Sequence, residues 1–235
     1  MPCTPVFALL AVLLCGACAD ARGTVPVASA PSAVATPSAG PSPTPSPTPS
    51  PTARPAPVVV AAGDGELAVV AGGSSRVGRG PLRTYVVEVE GGLGLDPAEV
   101  AMAVDRVLAD PRSWTSGGRR AVQRVDDPDK ADLRIAIASP ETTDRLCAPM
   151  RTVGRYSCAN GERAVLNARR WLTGAAAYGG QLEAYRTYLV NHEVGHVLGQ
   201  RHASCPGAGQ VAPVMLQQTK GLDGCAPGPW PFPQG

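Results

Sequence analysis

Residues 192–202 read His192-Glu193-Val194-Gly195-His196-Val197-Leu198-Gly199-Gln200-Arg201-His202, and the rest of the chain is best read outward from them. Upstream, Leu182, Tyr185, Leu189, His192 and His196 recur at steps of three and four, which traces one face of an α-helix. Val190, Val194 and Val197 occupy a second face, so the helix is expected to be buried on more than one side. Gly195 inside such a helix costs about 1 kcal/mol relative to alanine, a penalty that predicts a close neighbour at that position. Gly199 is free to adopt a left-handed conformation and end the helix, so that the chain doubles back and returns His202 toward the first two histidines.

Two histidines four residues apart project from one side of a helix and can converge on one ion. With His202 they supply three neutral imidazoles and leave the fourth tetrahedral position for water, the mark of a catalytic rather than a structural zinc site. Zinc lowers the pKa of that water to about 7 and polarises a bound carbonyl. Glu193 follows the first ligand, where a carboxylate can take the water's proton and return it to a leaving amine. A lone His-Glu-x-x-His also arises by chance in helices. Here the third histidine and the glycine stand at matching offsets, and the chain's three histidines all fall in this stretch. The residues therefore predict Zn2+ on His192, His196 and His202, with Glu193 as the catalytic base.

Earlier in the chain, Arg83–Glu90 alternates and is rich in β-formers, which predicts a strand. Asp96 can cap a helix with Pro97 at its first position. Val100, Val104, Val107 and Leu108 give that helix a buried face up to Ala109, and Asp110-Pro111 stops it. Ala121–Val125, Leu133–Ala138 and Arg163–Asn167 read as three more strands. Asp126, Asp127, Asp129 and Asp132 offer oxygens, but the glycine of a calcium loop is missing and Pro128 interrupts, so a turn with capping residues is expected. The folded domain is predicted over residues 82–235, of class α/β (α+β). Residues 58–81, rich in Val, Ala and Gly, read as a transitional segment with a short strand pair near 58–62 and 67–70.

At the N-terminus, Val6–Leu14 is an apolar run of signal-peptide length, short of the ~20 residues that span a bilayer. Met1–Pro5 lacks the usual Lys or Arg. The run closes on Leu14-Cys15-Gly16-Ala17-Cys18, small residues before a cysteine as in a bacterial lipobox. Residues 1–18 are thus expected to be an export signal with Cys18 as the lipidation site. The protein would be an outward-facing membrane lipoprotein, with free secretion as the alternative. Residues 19–57 are Ala, Ser, Thr and Pro without apolar periodicity and cannot bury a core. The alternating prolines of 41–51 favour extended polyproline II, about 3.1 Å per residue, which suits a stalk.

The chain has 235 residues and a formal net charge of +2. That near balance excludes the basic footprint of a nucleic-acid binder, and Arg119-Arg120 and Arg169-Arg170 read as solvated surface. Roughly 150 residues remain for the domain, enough for one core and for a monomer. Past the export signal stand four cysteines, an even count that in an exported chain predicts two disulfides. Of the three connectivities, proximity favours Cys147–Cys158 and Cys205–Cys225. The second would staple the segment holding His202. The spacings match no usual zinc pattern, which argues against a second metal site.

The stretch from His192 to His202 resembles the extended zinc signature of the metzincin metalloproteases. That resemblance implies a methionine in a tight turn beneath the metal, and Ala212-Pro213-Val214-Met215 makes Met215 its equivalent. It also implies a twisted mixed sheet, a buried active-site helix and a C-terminal subdomain, here small because the third ligand and the methionine lie close in sequence. Gln217 stands where some metzincins place an additional tyrosine ligand. The domain is similar, more closely, to a group of exported bacterial metzincin-like proteins. Tyr85-Val86-Val87-Glu88-Val89-Glu90, Leu108-Ala109-Asp110-Pro111-Arg112-Ser113-Trp114 and Asn191–His196 carry that likeness together with the methionine segment. The resemblance implies a peptide or protein substrate bound as an extra strand along a sheet edge, which the sequence does not single out. The expected activity is zinc-dependent peptide-bond hydrolysis in the cell envelope. A zinc-containing binding module and an amide hydrolase acting on peptidoglycan are the alternatives.

Overall fold

A computed structural model of the protein describes residues 57–235. The export signal, Cys18 and the linker up to residue 56 lie outside the described residues. In chain order the elements are β1 (Leu67–Val69), β2 (Val77–Gly78), β3 (Leu82–Glu90), α1 (Pro97–Ala109), β4 (Ala121–Arg124), β5 (Leu133–Ala138), α2 (Pro140–Cys147), β6 (Cys158–Asn160), β7 (Arg163–Asn167), α3 (Ala168–Thr173) and α4 (Leu182–Val197). No helix among the described residues is long and apolar enough to cross a membrane.

The strands form one mixed seven-stranded sheet in the order β2-β4-β3-β5-β7-β6, with β1 also paired to β3. β4, β3, β5 and β7 run parallel, and β6 closes one side antiparallel to β7. β3 shares one edge between two partners: Leu82–Tyr85 pair with β4 and Glu88–Glu90 with β1. Period-2 alternation sorts the side chains. Tyr85, Val87 and Val89 of β3, Leu133, Ile135 and Ile137 of β5, and Ala164 and Leu166 of β7 enter one large core with α1 and α4. The opposite face holds a smaller cluster of Ala138, Val165, Cys147 and Cys158. It also buries Glu88, which Arg134 meets at 2.6 Å and Arg163 at 3.3 Å.

The ends of α1 follow its sequence. The Asp96 carboxylate accepts from Ala98 N at 2.8 Å, Pro97 opens the helix, and Asp110 closes it. The acidic stretch is the expected turn: Asp127 caps a single 3-10 turn over Pro128–Lys130, and Asp132 accepts from Thr84 N at 2.7 Å.

The transitional segment differs from expectation. No strand forms at 58–62, whereas Leu67–Val69 and Val77–Gly78 join the sheet. Buried contacts hold this segment to the domain. Arg124 binds Asp105 through Nε at 3.0 Å and donates through Nη1 to the Gly72 carbonyl at 2.6 Å. The Glu90 carboxylate, 1% exposed, accepts from Gly65 N, Ser139 N, Ser139 Oγ and Thr142 Oγ1. A buried carboxylate is tolerable only when so satisfied. The folded unit therefore begins well before residue 82.

Beyond α4 the chain runs to its end without an α-helix or a paired strand, apart from an isolated bridge between Val211 and Ala226. Gln218, fully buried, holds this segment together. Its Nε2 donates to the carbonyls of Pro213 and Gly228 at 3.1 and 2.7 Å, and its Oε1 accepts from Gly228 N and the Tyr178 hydroxyl. The two disulfides are Cys147–Cys158 and Cys205–Cys225, the pairing that proximity favours.

Candidate metal centre

α4 is buried over Tyr185–Gly195 apart from Arg186 and Thr187 at its outer face, and it carries His192 and His196 toward its C-terminal end. Its C-terminus has the two hydrogen bonds of a Schellman turn: Gly199 N donates to His196 O and Gln200 N to Gly195 O, both at 2.9 Å. Gly199 sits at φ +85°, the left-handed conformation that the reversal requires. The chain then returns past the helix end. Ala203 N donates to Met215 O at 3.0 Å, and the Cys205–Cys225 disulfide ties the same loop to the segment beyond Met215.

This reversal brings the three imidazoles together. His196 Nε2 lies 3.2 Å from His192 Nε2 and 3.1 Å from His202 Nε2. All three candidate ligand atoms fall within 4.8 Å of one another, so the histidines could hold a metal ion. A small tetrahedral ion with bonds near 2.1 Å separates its ligand atoms by about 3.4 Å, close to the two separations from His196. Backbone carbonyls set the tautomers. His192 Nδ1 is 2.8 Å from Val214 O and His196 Nδ1 is 2.9 Å from Gln200 O, so each Nδ1 holds the proton and each Nε2 turns a lone pair inward. Lone pairs facing each other at that distance repel unless a cation lies between them, so the arrangement suits a bound metal ion.

The burial gradient across the site is steep. His192 and Glu193 are each 5% exposed, whereas His202 is open to solvent. Burial pushes the His192 imidazole down to about 3, so it stays neutral, as a ligand must. Burial pushes the Glu193 carboxyl up to about 8 in the metal-free protein, so it readily keeps a proton. Burial first, then His196 and Lys220, also hold His202 down.

The floor of the site explains Gly195. A Cβ there would meet Met215 Sδ at 2.6 Å and Trp114 Cζ2 at 2.7 Å. The close neighbour expected at Gly195 is thus a pair, and Met215 lies in a turn that Leu216 N closes on Pro213 O at 2.9 Å. Asn191 fixes the helix from behind. Its Oδ1 accepts from Ser113 Oγ at 2.8 Å, its carbonyl from Trp114 Nε1 at 2.9 Å, and its Nδ2 donates to Pro229 O at 3.1 Å. Tyr188 lies tilted against His192 with 5.1 Å between ring centres, and its hydroxyl bridges Leu216 O and Gln218 N.

A cleft of about 510 Å³ opens over the histidines. Glu193, Tyr188 and Gln217 line it, with β6 and the loop leading into it along one side and Thr219 and Lys220 along another. Gln217 therefore faces the site from the position noted in the sequence. Asn191, Tyr188 and Gln218 were not identified from the sequence. A polar residue at a fully buried helix position was the available signal for Asn191. The roles of Tyr188 and Gln218 depend on backbone carbonyls far along the chain, which leave no local pattern.

A family model described as "Protein of unknown function (DUF3152)" matches residues 54–228, well over half of the chain. It begins ahead of β1, in keeping with the early start of the folded unit. No curated protein and no solved structure matches the chain.

Proposed function

The chain belongs to the DUF3152 family, and we propose from its site that it is a zinc-dependent peptide hydrolase acting outside the cytoplasm. One observation carries the reading: three inward-facing Nε2 atoms converge on one point beside a buried glutamate, at the bottom of an open cleft. His192, His196 and His202 would hold the zinc. The bound ion would supply a Lewis acid that polarises a carbonyl and acidifies water.

The protein's own groups supply the rest. Glu193 takes a proton from the attacking water, the water oxygen forms its bond to the scissile carbonyl carbon, and the carbon–nitrogen bond breaks as Glu193 returns the proton to the leaving amine. Its buried setting suits a group that must accept and release a proton in turn. Val214 O and Gln200 O keep the two helix imidazoles in register. β6 offers the substrate a strand edge. It pairs with β7 on one side only, and Cys158 and Ala159 line the cleft. A metzincin-like reading is supported by this antiparallel edge strand beside the histidine helix and by Met215 beneath it. Two disulfides favour an oxidising compartment, in line with an exported chain anchored through Cys18 or secreted.

Glu193→Gln tests the mechanism. The variant should keep one zinc per chain by elemental analysis and lose peptide cleavage by at least about a hundredfold, the scale of general-base catalysis. Cleavage at the rate of the parent protein would overturn the assignment. Loss of zinc binding in His192→Ala with zinc retained in Glu193→Gln separates ligand from base.

A further inference from the structure

The cleft over the histidines carries more positive charge than hydrolysis requires. Arg151 and Lys220 both line it, from segments far apart in sequence. Neither forms an ion pair within 4.0 Å among the described residues. Glu193 is the one carboxylate in the lining, and it is buried under the histidines.

Both side chains are exposed, and each stands on backbone fixed close by. The Arg151 loop is closed at its base by the Cys147–Cys158 disulfide. Its neighbour Thr152 is buried and bonded to the Asp144 carboxylate, which also accepts from Gly154 N at 2.8 Å. Lys220 lies with Nζ 5.3 Å from the centre of the Tyr156 ring, itself part of the lining. Asp223 lines the adjoining groove with Lys220 and His202 but does not pair with the lysine. Uncompensated charge of one sign in a concave cleft focuses its field on what enters.

We propose that the cleft selects peptides bearing a carboxylate beside the scissile bond, and that Arg151 and Lys220 are the residues that read it. This specificity rests on the hydrolytic function above. The carboxylate can belong to an Asp or Glu side chain or to a free chain terminus, and both present the same planar anion to a guanidinium and an ammonium. An exposed ion pair shifts binding by about two- to fivefold, and two acting together by about tenfold.

The test uses the purified chain loaded with zinc and matched peptides. One set has Glu, Gln or Lys beside the cleaved bond and an amidated C-terminus. A second has neutral side chains and either a free or an amidated C-terminus. Cleavage is read as kcat/KM. Binding is read separately, by fluorescence anisotropy of the same labelled peptides on the Glu193→Gln variant. The expected result is a preference of about tenfold for the Glu peptide over Gln, larger still over Lys, shrinking as salt shortens the Debye length. Lys220→Gln and Arg151→Gln should each remove part of the preference and the double variant nearly all of it, with zinc content unchanged. Preference for the free C-terminus alone would assign the anion to a chain end. Equal handling of Glu and Gln peptides together with equal handling of free and amidated C-termini, or a preference that survives in the double variant, would overturn the proposal. If no peptide is cleaved while the Glu193→Gln variant still binds the acidic one more tightly, the hydrolytic reading fails and the charge selectivity stands.

Discussion

The body of the molecule, from β1 to the end of α4, and the segment from residue 198 to the C-terminus solve the same problem by different means. The body positions His192 and His196 through regular structure: a parallel sheet, a buried helix and side chains sorted by period 2 or 3.6. The C-terminal segment positions His202, Val214 O and Met215 with almost no regular structure. It relies on one buried glutamine, three tyrosines reaching from the body, and a disulfide. The lesson is that a metal ligand set needs fixed points and not a particular architecture. In the body the fixing is spread over many apolar contacts. In the segment a few polar bonds carry it, so single changes there should have disproportionate effects.

The largest effect should come from Gln218→Leu. It strands two carbonyls, the Gly228 N–H and the Tyr178 hydroxyl in a buried place, at about 1–3 kcal/mol per group before relaxation, and we expect a net loss of about 4 kcal/mol by urea unfolding. A loss below about 1 kcal/mol would show that the segment is not held as described. Next, the double replacement Cys205→Ser with Cys225→Ser should cost about 3 kcal/mol and weaken metal binding as well. Cys147→Ser with Cys158→Ser opens a shorter loop in the body, a separation of 11 residues against 20, and should cost somewhat less while leaving metal affinity alone. Equal effects of the two pairs on metal titration would erase the contrast.

Gly195→Ala should cost about 2 kcal/mol, because the methyl group meets Met215 and the Trp114 ring, and the ring cannot swing aside as a thioether can. Circular dichroism in the aromatic region would report the displaced indole. The smallest effect at neutral pH belongs to Tyr185→Phe, about 1 kcal/mol for the bond between its hydroxyl and Thr219 Oγ1. Its signature appears in alkali. Burial pushes the Tyr185 hydroxyl up to about 12, whereas in the unfolded chain it ionises near 10. Between those values the unfolded state has lost a proton that the folded state keeps, so stability present below pH 10 is lost as pH rises toward 12. The phenylalanine variant should lose stability less steeply over that window, by up to about 1.4 kcal/mol per pH unit.

The same contrast governs what could be read in advance. β3, β5, β7, α1 and α4 were legible because each repeats its period often enough to stand out, and the three histidines because the helix sets their spacing. β6 has three residues and α3 six, too few for a period to register. α2 is polar apart from its ends, and its start was signalled only by Ser139 before Pro140-Glu141, with Ser139 Oγ accepting from Thr142 N. The early start of the fold was hidden because Arg124 and Glu90 read as strand-end charges. Their roles exist only once Gly72 and Gly65 have folded back onto them. The disulfide pairing was legible from proximity alone, and the tie between Gln218 and Gly228 from nothing local.

The contact beneath Gly195 bears on how such sequences are recognised. In the pattern His-Glu-x-x-His the two middle letters pass for free choices, since neither touches the metal. Here the second of them is decided by clearance: the helix lies so close on a thioether and an indole that no side chain fits between. A pattern search that admits any letter at that place counts ligands and ignores the floor they stand on. One that demands glycine there, with a methionine about twenty residues on, asks whether the helix can be seated at all, and so sorts accidental matches from built ones.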